Sequence, residues 1–501
     1  MDEVLIIGAG FAGLCMAIQL RKAGIESFTI LERADDIGGT WRDNHYPGCA
    51  CDVQSHLYSY SFEPHAAWSR TFAEQPEILG YLRRCARKYG LLRQIAFGQN
   101  VTNARFDERQ HLWCVETAGG NVYRARVVVA GMGALSNAAY PNIDGLSGFA
   151  GAKFHSAHWD HSLELAGKRV AVIGSGASAI QFVPQIAPHV ARLDLYQRTP
   201  PWILPKPDRP IRGAERAMYA ALPLVLKLMR WAFYWRLETR MLAFTEPVLM
   251  RPVAAYARRY LRRCVQDPAL RAKLLPEYTL GCKRVLISND YYPALTSPNV
   301  DVITEGIREI RERSILDRAN CEREVDVIIF ATGFKVQELV PRGMFFGSGG
   351  RELADAWRDG AEAYKGTTVA GFPNLFFLLG PNTGLGHSSV IFMIESQVAY
   401  VMDALRQMRT NNWSALEVQA EAQAAFNREL DAKSASAVWK SGCRSWYLTE
   451  NGRNTTMWPD FTFRFRHLTR RFDSQAYRTE RQISAPPGAI GEAGSTLAER
   501  K

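Results

Sequence analysis

A chain of 501 residues that is 47% hydrophobic, 11% aromatic and 22% charged has enough apolar content for two or three domains, and these values exclude disorder along the whole length, a collagen-like chain and a coiled coil. The 61 Lys and Arg against 50 Asp and Glu leave +11, a surplus that suits anionic small ligands and does not make the chain a nucleic-acid binder. Nine cysteines without a CxxC pair point to thiols in a reducing, cytoplasmic compartment, not to a zinc site or a secreted disulfide framework.

The N-terminus runs straight from Met1-Asp2-Glu3 into the apolar strand Val4-Leu5-Ile6-Ile7, so no signal peptide is expected, and no apolar run along the chain is long enough for a membrane span. Gly8-Ala9-Gly10-Phe11-Ala12-Gly13 follows, then an apolar-periodic helix through Leu20 and a second strand, Phe28-Thr29-Ile30-Leu31, ending at Glu32. This is the strand–turn–helix–strand unit that binds a dinucleotide. Gly8 permits the tight turn, Gly10 lets the backbone approach a diphosphate, and Gly13 lets the helix pack on the strand. The helix N-terminus then offers free N–H groups to the phosphates. Glu32 stands where a carboxylate accepts hydrogen bonds from an adenosine ribose and repels a 2′-phosphate, so this unit suits FAD or NAD.

The same pattern returns later. Val170-Ala171-Val172-Ile173 leads into Gly174-Ser175-Gly176-Ala177-Ser178-Ala179, a helix, and the strand Leu193-Asp194-Leu195-Tyr196. No acid stands at that strand's end. Arg198 and Thr199 follow instead, a guanidinium and a hydroxyl that suit the 2′-phosphate of NADPH. Val127–Gly131 and Val327–Gly333 are apolar strands closed by glycine, read as crossings between two domains.

Five prolines between Pro200 and Pro210 open a different region. Residues 216–260 are dense in Leu, Met, Trp, Tyr and Arg. They read as a helical lid with a packed core. A buried helical pair and an amphipathic surface touching a membrane remain alternatives, the last not favoured. Further on, Leu375–Leu379 and Gly380-Pro381-Asn382 precede a helix whose start near His387-Ser388-Ser389 aims either at a flavin ring or at nothing beyond its own cap.

The expected fold class is α/β, two Rossmann-like dinucleotide-binding domains with a helical insertion. The first domain takes 1–145 and 326–482, the second 146–205 and 284–325, the insertion 206–283, and a mobile tail 483–501.

Between the two units stands Phe149-Ala-Gly151-Ala-Lys-Phe-His155-Ser-Ala-His-Trp159-Asp160. This segment resembles the fingerprint of the Baeyer–Villiger monooxygenases, FxGxxxHxxxW(P/D), at every specified position. Gly38-Gly39-Thr40-Trp41, Tyr46-Pro47-Gly48, Cys51-Asp52, Lys283-Arg284, Ala331-Thr332-Gly333-Phe334 and Gly380-Pro381-Asn382 resemble the same family, so the likeness covers roughly residues 1–470. It implies FAD and NADPH as cofactors, O₂ and a small hydrophobic ketone or aldehyde as substrates, a C4a-peroxyflavin intermediate, and an ester or lactone as product. It also implies Arg284 as the catalytic cation, Asp52 as the carboxylate that positions it, Lys283 on the NADP 2′-phosphate, and Thr40, Trp41 and Tyr58 along FAD. Arginine suits the catalytic place because it stays protonated at any working pH. His155 and Trp159 read as structural ties of the linker, and Cys49 and Cys51 as buried thiols. His45 stands where many relatives carry arginine. Two competing readings are a flavin-containing monooxygenase that oxygenates nitrogen or sulfur, and a flavoprotein sensor without turnover. Neither substrate identity nor oligomeric state is readable from the sequence.

Overall fold

The computed structural model describes residues 1–443 and 445–481; the tail expected at 483–501 lies outside the described residues. At the centre of the first sheet is the strand Asp2–Ile7, whose Val4 to Ile7 are all buried. It pairs in parallel with Phe28–Leu31 on one side and Val122–Ala130 on the other, with Ile7 opposite Leu31 and Ala130. An apolar run without alternation is what a strand covered on both faces requires. The first half of Val122–Ala130 continues into an antiparallel ribbon with Leu112–Thr117 and Val101–Asp107, and its second half carries Leu375–Phe377 in parallel. The helix Phe11–Lys22 packs on this sheet beside the long helix Val390–Asn411.

The second sheet is all parallel, in the order Val300–Ile303, Arg192–Tyr196, Arg169–Ile173, Val327–Phe330, Ala152–His155. This corrects one expected boundary. The sequence reading places residues 326–330 in the first domain, yet Val327–Phe330 lies inside the second sheet, between Arg169–Ile173 and Ala152–His155. The second unit therefore runs through Phe330, and the crossing begins after it. The two crossings lie side by side: Ala139 N donates to Gly333 O at 2.9 Å, and Thr332 Oγ1 donates to Ala139 O at 2.5 Å.

The inserted region holds the helices Gly213–Ala221, Pro223–Glu238, Met241–Thr245, Met250–Cys264 and Pro268–Leu274. Where it leaves and rejoins the second unit, Ile203–Leu204 and Leu286–Ile287 pair in parallel. Met241, Phe244, Met250 and Ala257 form a core with Trp202, Leu280, Trp439 and Tyr447. Among the described residues, no helix is long and apolar enough to cross a membrane.

Candidate active site

The two glycine turns are built alike. Gly8 has φ +98° and Gly174 φ +108°, conformations that L side chains avoid. A Cβ on Gly8 would stand 2.7 Å from Gly131 O, and one on Gly174 2.4 Å from Ala331 O, so each turn is pressed against the crossing that follows its neighbouring strand. A Cβ on Gly13 would reach to 1.8 Å from Gly8 O, the close helix–strand packing expected there. The middle glycines differ. A Cβ on Gly176 would meet nothing within 4 Å, and one on Gly10 only Gly39 Cα at 3.8 Å. These two positions keep open the space a diphosphate needs, so the turns fit a dinucleotide. The helices Phe11–Lys22 and Ala179–Ile186 start directly after the turns, with Ser178 at the N-cap of the second.

The ends of the following strands carry opposite charge. Glu32 is 4% exposed and accepts from Ala9 N at 2.8 Å, Ala34 N at 3.1 Å and Arg42 Nη1 at 2.8 Å. Beside it opens a cleft of about 560 Å³ lined by Arg33, Arg42, Asp43, Ser136 and Tyr140. In the second unit, Ser175 Oγ donates to Thr199 O at 3.3 Å, which folds the Thr199 segment over the glycine turn. Lys283 arrives from the far end of the insertion. Burial lowers its pKa and the neighbouring Arg198 cation lowers it further. Among the described residues neither Arg198 nor Lys283 has a carboxylate partner. Two close cations without an anion make a site for one.

Thr40 and Trp41 open the short helix Thr40–Asp43, set by Gly38 at φ +120° and Gly39 at φ +51°. Gly39 lies against Gly10, so Thr40 is delivered to the first turn. Buried Trp41 donates through Nε1 to Tyr58 OH at 3.1 Å.

Asp52 follows a loop pinned between the two units. Gly48 has φ +76°, and a Cβ there would stand 2.8 Å from Gln181 O. The Gln181 side chain accepts from Tyr46 OH at 2.9 Å and donates to Ala50 O at 3.0 Å. On the other side Cys51 N donates to Ala73 O at 2.9 Å. Arg284 stands two residues before the strand Leu286–Ile287, in a loop whose Gly281, at φ +94°, packs against Met250 and Val438. Across 232 residues of sequence, Arg284 Nε donates to Asp52 Oδ2 at 3.0 Å, and Nη2 donates to the same oxygen. Both side chains are about one-third exposed, at 33% and 31%. The Asp52 carboxylate holds the guanidinium's pKa above its ordinary value despite burial, so the cation is permanent. One carboxylate oxygen takes both bonds, which orients the plane of the guanidinium. Arg284 Nη1 has no protein acceptor among the described residues.

Tyr447 was not anticipated. It is 1% exposed and lies near Arg284; burial pushes its phenol up to about 12, with the Arg284 cation pulling the other way. Nothing in Trp446-Tyr447 marks it in the sequence. Gln181 was likewise missed, being one polar residue on a helix. His155 is fully buried in the edge strand of the second sheet. Its Nδ1 accepts from Ala157 N at 3.1 Å, and burial lowers its pKa to about 4. A neutral ring in a capping role agrees with a structural tie, as does Trp159 packed between Phe154 and Phe182. Burial pushes the Cys49 thiol up to about 12 and Cys51 higher, so neither is a thiolate at neutral pH. One cysteine expectation is corrected: Cys282 and Cys443 are joined in a disulfide, beside Lys283 and Arg284. Their 161-residue separation gave no spacing signal; only the fold brings them together.

Residues 5–212 match the family model described as pyridine nucleotide-disulphide oxidoreductase. A Baeyer–Villiger monooxygenase of Pseudomonas aeruginosa is 56% identical over 95% of this chain and 91% of its own. One of Streptomyces coelicolor is 47% identical over 99% of this chain and 96% of its own. Among solved structures, the closed crystal structure of cyclohexanone monooxygenase superposes with TM-score 0.86 at 27% identity, covering 96% of this chain and 99% of that one. The structure of OTEMO in complex with FAD and NADP superposes with TM-score 0.84 at 27% identity, covering 93% and 97%.

Proposed function

This chain belongs to the Baeyer–Villiger monooxygenase family, and from that premise we propose that it uses NADPH and O₂ to insert an oxygen atom beside the carbonyl of a hydrophobic ketone or aldehyde, giving an ester or lactone. It is an FAD-dependent NADPH monooxygenase. FAD, when bound, supplies the centre at which NADPH is oxidised and O₂ is activated.

The protein's own groups do the rest. Gly10 leaves room for the FAD diphosphate beside the turn that Gly8 and Gly13 shape, the start of the helix Phe11–Lys22 faces it, and Glu32 takes the ribose at the strand end. Thr40, Trp41 and Tyr58 line the same ligand. Gly174, Gly176 and Ser178 hold the NADPH diphosphate, with Arg198, Thr199 and Lys283 on its 2′-phosphate. Arg284 would supply a permanent positive charge to oxygen that carries negative charge during attack on a carbonyl, with its Nη1 donors not taken by any protein acceptor among the described residues. Asp52 fixes the guanidinium in place and is a positioning residue. Buried Tyr447 and half-buried Tyr58 limit the water that reaches the pair.

The observation that carries this reading is the Arg284–Asp52 pair, joined across the boundary between the two nucleotide units. The test is NADPH consumption by the purified yellow protein across a panel of ketones, with products identified by mass. Ester or lactone in stoichiometry with NADPH supports the reading. N-oxide or sulfoxide as the only product, with every ketone inert, replaces it with heteroatom oxygenation.

A further inference from the structure

The helix Pro223–Glu238 has an inner face that is firmly docked. Leu226, Tyr234 and Leu237 are buried, and Tyr234 stacks on Phe392 with ring centroids 5.0 Å apart. Glu238, fully buried, accepts from Thr462 Oγ1 at 2.8 Å, and Arg230 donates to His56 O at 2.7 Å. The outer face is apolar and uncovered. Leu224, Leu228, Trp231 and Trp235 recur at spacings of four, three and four residues and are 68%, 58%, 62% and 38% exposed. Phe463, 40% exposed, extends the face from the helix Thr462–Leu468, its ring 5.9 Å from Trp235. Single exposed apolar residues are ordinary, but a contiguous stripe of Leu and Trp is not.

Charge around the stripe says what covers it. The helix itself carries three cations, Lys227, Arg230 and Arg236, against one carboxylate, Glu238. Of these, Arg230 turns inward to His56 O and Glu238 is buried, so the charge the outer side presents is positive. Lys227 and Arg236 flank the stripe directly and are exposed. A second copy laid on this face would bring the basic rim against itself. An anionic lipid headgroup layer meets the rim with opposite charge and the stripe with acyl chains. Sixteen residues make a helix about 24 Å long, enough to lie in the interface.

We propose that the outer face of Pro223–Glu238, with Phe463 beside it, is a docking surface for anionic membranes. The protein touches the bilayer there without crossing it. Docking would bring the inserted region to the phase in which a hydrophobic substrate concentrates, yet it does not depend on the reaction assigned above.

The test is flotation of the holoenzyme with vesicles of phosphatidylglycerol and phosphatidylcholine in equal parts, against phosphatidylcholine alone. Binding to the anionic vesicles is expected, with a blue shift of tryptophan emission and loss at high salt. The Leu228→Ser/Trp231→Ser double variant should bind about tenfold or more weakly, with melting temperature and NADPH oxidation in buffer unchanged. The charge reversal Lys227→Glu/Arg236→Glu should abolish the preference for phosphatidylglycerol. No binding to either vesicle overturns the proposal, as does binding that the double variant leaves intact. A dimer in sedimentation that the double variant dissolves, without vesicle binding, assigns the face to a second copy and also overturns it.

Discussion

At the end of the strand Phe28–Leu31 the first glycine-turn unit carries a buried carboxylate. At the end of Arg192–Tyr196 the second carries Arg198 and Thr199, with Lys283 added from beyond the insertion. The backbones of the two turns are nearly interchangeable, down to the positive φ of Gly8 and Gly174. Within each turn, a glycine pressed on backbone is required by the fold, while the open one leaves space that the fold does not use. Between the turns, the sign of charge one strand away differs, which is the contrast that the proposed ribose and 2′-phosphate contacts require.

The largest expected effect lies in the first unit. Gly13→Ala forces a Cβ to 1.8 Å from Gly8 O. It should cost about 3 kcal/mol or more of stability, or prevent folding. A thermal melt matching the unaltered protein would break the distinction between fold glycines and ligand glycines.

The strand that edges the second sheet gives the next. Burial holds both His56 and His155 at about 4, well below an ordinary histidine. Between pH 6.5 and about 4 the unfolded chain binds protons that the folded one refuses, so stability rises with pH through that window and falls on acidification. His155 alone should account for about 2–3 kcal/mol. The fall in melting temperature between pH 7 and pH 5 should therefore be smaller in His155→Phe. An unchanged pH dependence would show that the ring binds its proton as readily in the folded protein as in the unfolded chain.

The charge contrast is sharpened by Arg198→Ala and Lys283→Ala. Each should raise KM for NADPH about 10- to 100-fold and leave KM for NADH nearly unchanged. An equal rise for both nucleotides would mean that these cations do not read the 2′-phosphate. The smallest effect is expected from Gly176→Ala, whose Cβ meets nothing. The melting temperature should hold while KM for NADPH rises by about fivefold to tenfold.

The glycine turns, Glu32 and the Arg198–Thr199 pair were readable because each is local: a strand, a turn and a helix within about 30 residues. Arg284 and Asp52 were readable only through likeness to a family. Lys283-Arg284 is an unremarkable basic pair, and its partner lies 232 residues away. Tyr447, Gln181 and the Cys282–Cys443 bond have no local signature, because loops from distant segments create them. The misplaced strand Val327–Phe330 has a different cause. An apolar run buried on both faces reads the same in either parallel sheet, so its sequence does not say which one it joins. A packed core in the inserted region is the favoured sequence reading and an amphipathic outer surface a disfavoured one; the structure holds both, since periodicity shows a face without showing whether anything covers it.

Arg284 itself gives the most direct test. Ester formed from a methyl ketone and sulfoxide formed from an aryl sulfide should be measured side by side in the unaltered protein, Arg284→Lys and Arg284→Ala, with NADPH oxidation as the common reference. The account predicts that Arg284→Ala lowers ester formation by about a thousandfold, that sulfoxide formation changes by no more than about threefold, and that Arg284→Lys recovers only part of the ester activity. Ester formation that survives Arg284→Ala at the original rate would contradict it.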